Sequence, residues 1–375
     1  MNYPTLKELK NLKGTRVIVR VDFNVPLDAK GKIEDTFRID SALPTLEYLR
    51  NKGARIILVS HIGKDGATSL KVVHAYLNKK FPLAFSKDVV GSEVEKQVYA
   101  MKAGDAILLE NVRKEVGEMG NSKIFALELA KLGEAYVNEA FSVSHRAHAS
   151  LVLVPKLVPS YIGLQCEKEV KELSKVHDNV KHPFLFILGG AKFETKMPLI
   201  KTFLKTADTV FVGGALANNF LKLEGYNVGK SLIDEDVKGL EKIAKNKKLL
   251  LPVDLIVENG KTKKEIGLDE VKHGDMIVDM GKASVALLET YIKKAKMIVW
   301  NGPLGKGSNT KATSAILHLL AQNKATRIIG GGDTAEIIDE LKLKDKVGFV
   351  STGGGAAIDF LIDEKLPALQ ALKTK

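Results

Sequence analysis

Along this chain a short run of β-branched and other apolar residues repeatedly meets a glycine or polar turn and then a longer amphipathic stretch. Few folds accept that alternation. A helix that follows a strand carries the chain back to the same sheet in the same direction, so repeated units build a parallel sheet covered by helices. The predicted strands of the first half are Arg16 to Asp22, Arg55 to Ser60, Ala106 to Leu109 and Ala135 to Asn138. Those of the second half are Phe184 to Leu188, Thr209 to Val212, Met276 to Asp279, Met297 to Trp300, Arg327 to Ile329 and Gly348 to Val350. At 375 residues the chain exceeds one core, so two domains are expected. Between Pro155 and Pro183 a charged helical stretch, Cys166 to Lys175, separates the two series. The expected class is α/β: two doubly wound parallel-sheet (Rossmann-like) domains, residues 1–160 and 161–360, joined by that stretch as a hinge helix. Such sheets bind ligands beyond the carboxyl ends of their strands.

Composition narrows the function. No apolar run approaches the roughly 18 residues of a membrane span, and residues 1–8 lack a signal-peptide core, so a cytoplasmic protein without membrane attachment is expected. The lone Cys166 excludes an internal disulfide and a multi-thiolate zinc site. A net charge of +12 could favour nucleic acid, but only 8 of the 57 basic residues are arginine and no aromatic-rich basic strip accompanies them. A solvated lysine surface is expected instead, with a field that favours a small polyanion.

The arginines are not spread evenly. Seven of the eight precede residue 150, and several follow a predicted strand closely. Asp22 and Asn24 end the first strand in Arg20-Val21-Asp22-Phe23-Asn24-Val25-Pro26, where they could bind a polar ligand or close their own turn. The same edge is expected to receive Arg38, His61 in Ser60-His61-Ile62-Gly63-Lys64, Arg113 and Arg146. Converging guanidinium forks suit a multiply anionic ligand, whereas scattered ones would be surface ion pairs. His145 and His148 could be a metal pair, but neither cysteine nor an obvious third ligand lies near.

In the second half the strands run into glycines. Leu188-Gly189-Gly190-Ala191-Lys192 continues to Lys196, which places the two lysines one helical turn apart. Further narrow turns are Gly213-Gly214 and Asn301-Gly302-Pro303, suited to the flat face of a base, and Gly330-Gly331-Gly332-Asp333-Thr334 and Gly353-Gly354-Gly355. Bare backbone approaches a phosphate closely, and a helix start adds free N–H groups and a favourable dipole. Asp333 amid such backbone could hold Mg²⁺ with phosphate oxygens, or cap the helix with Thr334. Gly225 to Ser231 imitates a P-loop but has three residues between its glycines where four are needed, and no cluster shows G-x-G-x-x-G after the first strand. Residue chemistry alone leaves open a dinucleotide-dependent oxidoreductase or a catalytically silent nucleotide- or nucleic-acid-binding protein.

Taken together and in order, Arg20 to Pro26, Ser60 to Gly63, Leu108 to Arg113, Val137 to Ser150, Leu188 to Lys192, Trp300 to Gly305, Gly330 to Thr334 and Phe349 to Gly355 resemble the phosphoglycerate kinase family. The resemblance implies a cytoplasmic, monomeric, hinge-bending glycolytic kinase. It would transfer a phosphoryl group between 1,3-bisphosphoglycerate and ADP, giving 3-phosphoglycerate and ATP with Mg²⁺, and would bind no nucleic acid. Asp22, Phe23, Asn24, Arg38, His61, Ile62, Gly63, Lys64, Arg113 and Arg146 would then hold the glycerate substrate. Gly190, Lys196, Gly213, Gly214, Asn301, Pro303, Gly331, Gly332, Asp333 and Thr334 would hold the nucleotide, with Asp333 on Mg²⁺. Arg38, Lys192, Gly332 and Gly354 would serve the transfer itself, and Leu361 to Lys375 would pack back on the first domain. Lys64, Lys114, Ser142 and Ala215 depart from the family's usual residues. Lys306 to Lys311 forms a shorter turn without the glutamate expected at the ribose, from which weakened or base-tolerant nucleotide binding is expected.

Overall fold

The computed structural model describes residues 3–235 and 239–372. It forms two units: the chain up to Lys171 together with the stretch from Gly355 onward, and Glu172 to Gly354. The first divide falls inside the helix Leu164–Leu173, which the short helix Lys175–Asp178 follows.

The first unit carries β1 (Arg16–Val21), β2 (Arg55–Val59), β3 (Ala84–Phe85), β4 (Ala106–Leu108), β5 (Ala135–Glu139) and β6 (Ser160–Ile162). They form one sheet in the order β3-β4-β2-β1-β5-β6. All pairs are parallel. Strands covered on both faces read as continuous apolar runs, and β1, β2 and β5 are buried almost throughout. Each fully buried Val, Ile or Phe in such a run contributes roughly 1.5–3 kcal/mol. The register sets Arg20 beside Val59 and Val21 beside Glu139. The loops after β1, β2, β4 and β5 therefore leave at one edge.

Beyond Gly355 the chain lies on this first unit. Ala368 N–H donates to Ser144 O at 3.0 Å, Ala368 and Ala371 pack with Ala140, Val143 and Leu151, and the Phe141 and Phe360 rings meet edge to face at 5.7 Å. Of the segment expected to return, residues 373–375 lie outside the described residues.

The second unit carries β7 (Phe184–Leu188), β8 (Thr209–Val212), β9 (Leu249–Leu250), β10 (Asp254–Asn259), β11 (Thr262–Gly267), β12 (Met276–Met280), β13 (Met297–Asn301), β14 (Thr326–Gly330) and β15 (Phe349–Val350). Its parallel sheet runs β15-β14-β13-β7-β8-β9. Asn301 stands beside both Leu188 and Gly330, and Leu188 beside Val212, so four glycine turns emerge together. The stretch Met276 to Asp279 does not join that sheet. It lies in β12, which pairs antiparallel with β10 in a separate three-stranded sheet, β11-β10-β12. The β10–β11 hairpin escapes sequence reading because its outer strand, Thr262–Gly267, is polar and exposed. β3, β6 and β9, at two or three residues each, are too short to show a period.

Candidate functional site

In the first unit the strand-end loops converge on Asp22. Arg38, in the first turn of the helix Phe37–Asn51, donates from Nη1 to Asp22 Oδ2 at 2.7 Å and to Asn24 O at 3.4 Å. Ser142 Oγ donates to the same carboxylate, as does the Asn24 N–H at 3.1 Å, and His61 Nδ1 stands 3.8 Å from Oδ1. Burial pushes the Asp22 carboxyl up, but Arg38 and these hydrogen bonds outweigh it and hold it below the usual carboxylate range. Burial and then Arg20 lower His61 to about 3, which leaves the ring neutral.

Asn24 and Arg113 tie the neighbouring loops together. Asn24 Oδ1 accepts from Gly63 N–H at 2.9 Å, and Arg113 Nη1 donates to Gly63 O at 2.6 Å and Lys64 O at 3.4 Å. Phe23 and Ile62 turn their side chains into the apolar core, so only their backbone faces the loops. Lys64 and Arg146 are exposed. Arg146 nonetheless lies near enough that its charge depresses the proton affinity of Arg113, whose lowering begins with burial.

Sequence reading passed over the group beneath these residues. Arg20 is 1% exposed, and its Nε donates to Ser150 Oγ at 2.9 Å, its Nη1 to Val21 O at 2.5 Å. Ser150 Oγ in turn donates to the fully buried Glu118, whose carboxyl is raised by burial. A basic residue within the apolar run Arg16–Val21 was the available signal. Burial and then the cations Arg113, Arg20 and Arg146 lower His148 to about 4. Arg113 Nε is buried without a hydrogen-bond partner among the described residues. The cluster is thus rich in cations that repel one another, and Asp22 and Glu118 are already engaged. An entering polyanion would relieve that repulsion.

In the second unit the glycines first serve to pack the turns against each other. A Cβ on Gly189 would lie 2.1 Å from Pro303 O, and Gly214, with φ +62°, would place one 2.9 Å from Gly190 N. Gly190 N–H donates to Pro303 O at 2.9 Å, Gly302 N–H to Gly330 O at 3.2 Å, and Gly213 packs against Leu304. Gly332, by contrast, opens the helix Gly332–Glu340 and has nothing within 4 Å of its Cβ direction. Gly331 precedes it with φ +110°, and Thr334 Oγ1 is buried without a partner among the described residues. Gly354 opens the helix Gly354–Ile362.

Lys192 stands exposed at the N-cap of the helix Phe193–Thr206. Lys196 turns inward and donates to Asn301 Oδ1. Burial lowers Lys196 to about 8, and Asp333 pulls it back up. Asp333 is exposed at the helix start. Among the described residues no group of three or more His, Cys, Asp or Glu is arranged to hold a metal ion. One carboxylate beside a phosphate cradle suits Mg²⁺, which takes one or two carboxylates and completes its shell with phosphate oxygens and water.

Beside this cradle lies a cavity of about 310 Å³ lined by Gly190, Gly214, Pro303 and Asp333 and by apolar side chains that include Leu255 and Leu304. Asp279 and Asn218, which sequence reading missed, also line it. Burial raises Asp279 to about 6, although Ala312 and Met280 N–H groups donate to it.

A family model for phosphoglycerate kinase matches residues 6–364. The chain belongs to the phosphoglycerate kinase family. The phosphoglycerate kinase of Aquifex aeolicus is 43% identical over 394 residues, spanning 99% of this chain and 98% of that protein. The solved phosphoglycerate kinase of Coxiella burnetii superposes with a TM-score of 0.86 at 35% identity, covering 99% of this chain and 98% of its own. That of Pyrococcus horikoshii gives 0.89 at 28% identity, with 98% of each chain covered. Membership sets aside the dinucleotide-dependent oxidoreductase. No helix among the described residues is long and apolar enough to cross a membrane.

Proposed function

We propose that this chain is a working phosphoglycerate kinase, reversibly transferring a phosphoryl group from 1,3-bisphosphoglycerate to ADP in glycolysis, as a cytoplasmic monomer that binds small anions and not nucleic acid. The observation that carries the activity is the crowding of Arg20, Arg113 and Arg146 beside a neutral His61. Such an arrangement favours a ligand with several negative charges. The first unit is the glycerate domain in this reading, with Asp22, Asn24, His61, Gly63, Arg113 and Arg146 around the substrate, and the second unit is the nucleotide domain.

In the direction of ATP formation, an oxygen of the terminal phosphate of ADP bonds to phosphorus as the bond from phosphorus to the acyl oxygen breaks. The electron pair stays with the departing carboxylate. That carboxylate has a pKa of about 4 and needs no proton at neutral pH, so no general base is required. What the protein must supply is positioning and charge. Arg38, Lys192 and the N–H groups at Gly332 and Gly354 neutralise charge on the group in flight, while Lys196, Asn301, Gly214 and Pro303 hold the nucleotide. Asp333 would hold Mg²⁺, which would supply positive charge against that of the phosphates. Transfer also requires donor and acceptor to meet with water excluded, and the connecting helix Leu164–Leu173 is the assigned hinge.

The test is ATP formation from 1,3-bisphosphoglycerate and MgADP, compared with Arg38→Ala. Loss of a charge-stabilising donor is expected to lower turnover by about 10²-fold or more. Turnover unchanged by the substitution would remove Arg38 from the mechanism, and no ATP formation by the unaltered protein would leave the silent binding protein as the reading.

A further inference from the structure

Beneath the strand-end loops of the first unit, Arg20 and His61 meet where almost no water reaches, each 1% exposed. All three guanidinium nitrogens of Arg20 donate inside the fold. Nε gives to Ser150 Oγ at 2.9 Å, Nη1 to Val21 O at 2.5 Å and Nη2 to His61 Nδ1 at 3.4 Å. A side chain so enclosed acts on a ligand through its neighbours. A guanidinium has donors only, so the ring atom it meets, Nδ1, must keep its lone pair, and a proton there would point at the cation. The carboxylate that also faces Nδ1 does not rescue such a proton: Asp22 Oδ1 lies 3.8 Å away, outside hydrogen-bond reach, and already accepts from Asn24 N–H at 3.1 Å. Burial first and Arg20 next, with Arg113 and Arg146 behind them, outweigh the pull of Asp22 and keep the ring neutral. A neutral imidazole carries one proton, and these contacts leave it to Nε2.

We propose that Arg20 is a positioning residue: its Nη2–H on Nδ1 holds the His61 ring as the tautomer protonated at Nε2, so that the ring meets an anionic oxygen of the substrate as a hydrogen-bond donor. The role at the substrate rests on the reading of this unit as the glycerate domain; the tautomer does not. Without Arg20 the ring is free to carry its proton on Nδ1, toward Asp22, and Nε2 then turns a lone pair on the anion. A ring that exchanges between the two forms offers its donor only part of the time. The hydrogen bond made by one ring nitrogen thus sets what the other can do.

Long-range proton–nitrogen correlation spectra of the full-length protein, isotope-labelled at its histidine nitrogens, test it at neutral pH. The signal of His61 is picked out of the eight histidines by its loss in His61→Gln. Protonated and bare ring nitrogens resonate far apart, so the tautomer is read directly. Expected in the unaltered protein without substrate is a single form, bare at Nδ1 and protonated at Nε2. A proton on Nδ1, a doubly protonated ring or shifts averaged by exchange overturns the proposal, and this measurement needs no change at Arg20. In Arg20→Met the shifts should average or move to the form protonated at Nδ1, and 3-phosphoglycerate should bind about tenfold or more weakly, the worth of a hydrogen bond to a charged group. Should the single variant fail to fold, Arg20→Met combined with Glu118→Gln also removes the buried carboxylate that Arg20 offsets. A tautomer unchanged in either variant overturns the assignment, even where binding weakens. Saturating 3-phosphoglycerate should shift the Nε2 signal of the unaltered protein and leave its proton in place. Binding that leaves Nε2 unmoved overturns the donor role. No binding at all overturns the glycerate reading and the donor role with it, while the tautomer stands or falls on the free protein.

Discussion

Lys196 should make nucleotide binding fall on the alkaline side of neutrality. Its ammonium is half-buried, donates to Asn301 Oδ1 and titrates at about 8, because burial outweighs the attraction of Asp333. At that value the side chain is about nine-tenths cationic at pH 7 and about one-tenth at pH 9. A lysine is charged below its pKa, and bound phosphate holds the proton on, so affinity follows the cationic fraction of the free protein. The dissociation constant of MgADP should therefore rise by about tenfold between pH 7 and pH 9, a range in which the nucleotide phosphates are already ionised. Lys196→Arg, whose guanidinium stays charged throughout, should flatten the profile. Lys196→Met should flatten it too, at an affinity lower at pH 7 by about 10- to 100-fold, since a hydrogen bond to a charged group contributes roughly 1.5–3 kcal/mol. Titration calorimetry at saturating Mg²⁺ measures this directly. A flat profile in the unaltered protein, or a fall that survives in the Met variant, would refute the reasoning.

Two glycines of the same cradle should separate packing from binding. Gly189→Ala drives a Cβ to 2.1 Å from Pro303 O, and overpacking of this kind should lower urea stability by about 2–3 kcal/mol. Gly332→Ala meets open space and should leave stability within about 0.5 kcal/mol while weakening MgADP. Equal stability losses in the two would contradict the assigned division. In the first unit, Glu139 is buried and raised from 4.5 to about 7, though it accepts from Thr45 Oγ1 and from the Gln165 and Cys166 N–H groups that open the connecting helix. The folded state binds that proton more tightly than the unfolded chain does. Its contribution is thus full below about pH 4.5 and lost as pH rises through about 7, on the order of 3 kcal/mol. Urea midpoints at pH 5 and pH 8 should show this decline, relative to Glu139→Gln in which it is absent; the same decline in both proteins would rule Glu139 out as its source.

The alternation of apolar runs and glycine turns was enough to predict the α/β class and ten strand positions, because parallel strands buried on both faces leave long apolar runs. It also marked the loop residues, since chemistry-bearing side chains follow the strand ends. β12 shows the limit. Its apolar stretch Met276–Met280 looks like any core strand, and only its antiparallel pairing with β10 shows that it belongs to a separate sheet. Arg20 and Glu118 show another limit: they lie far apart in sequence and meet through Ser150. Lys192 and Lys196 looked equivalent at one-turn spacing, yet one stands in solvent at a helix start and the other is desolvated against Asn301.

The sequence by itself determined the strand–helix rhythm, the placing of arginines in one half and glycine turns in the other, and the family resemblance, all properties of local pattern. Tertiary structure alone decided which glycines are needed for backbone contact, which leave open space and which lysine loses its water. These depend on what the rest of the chain brings within a few ångströms, and burial is a property of that surrounding matter rather than of the residue.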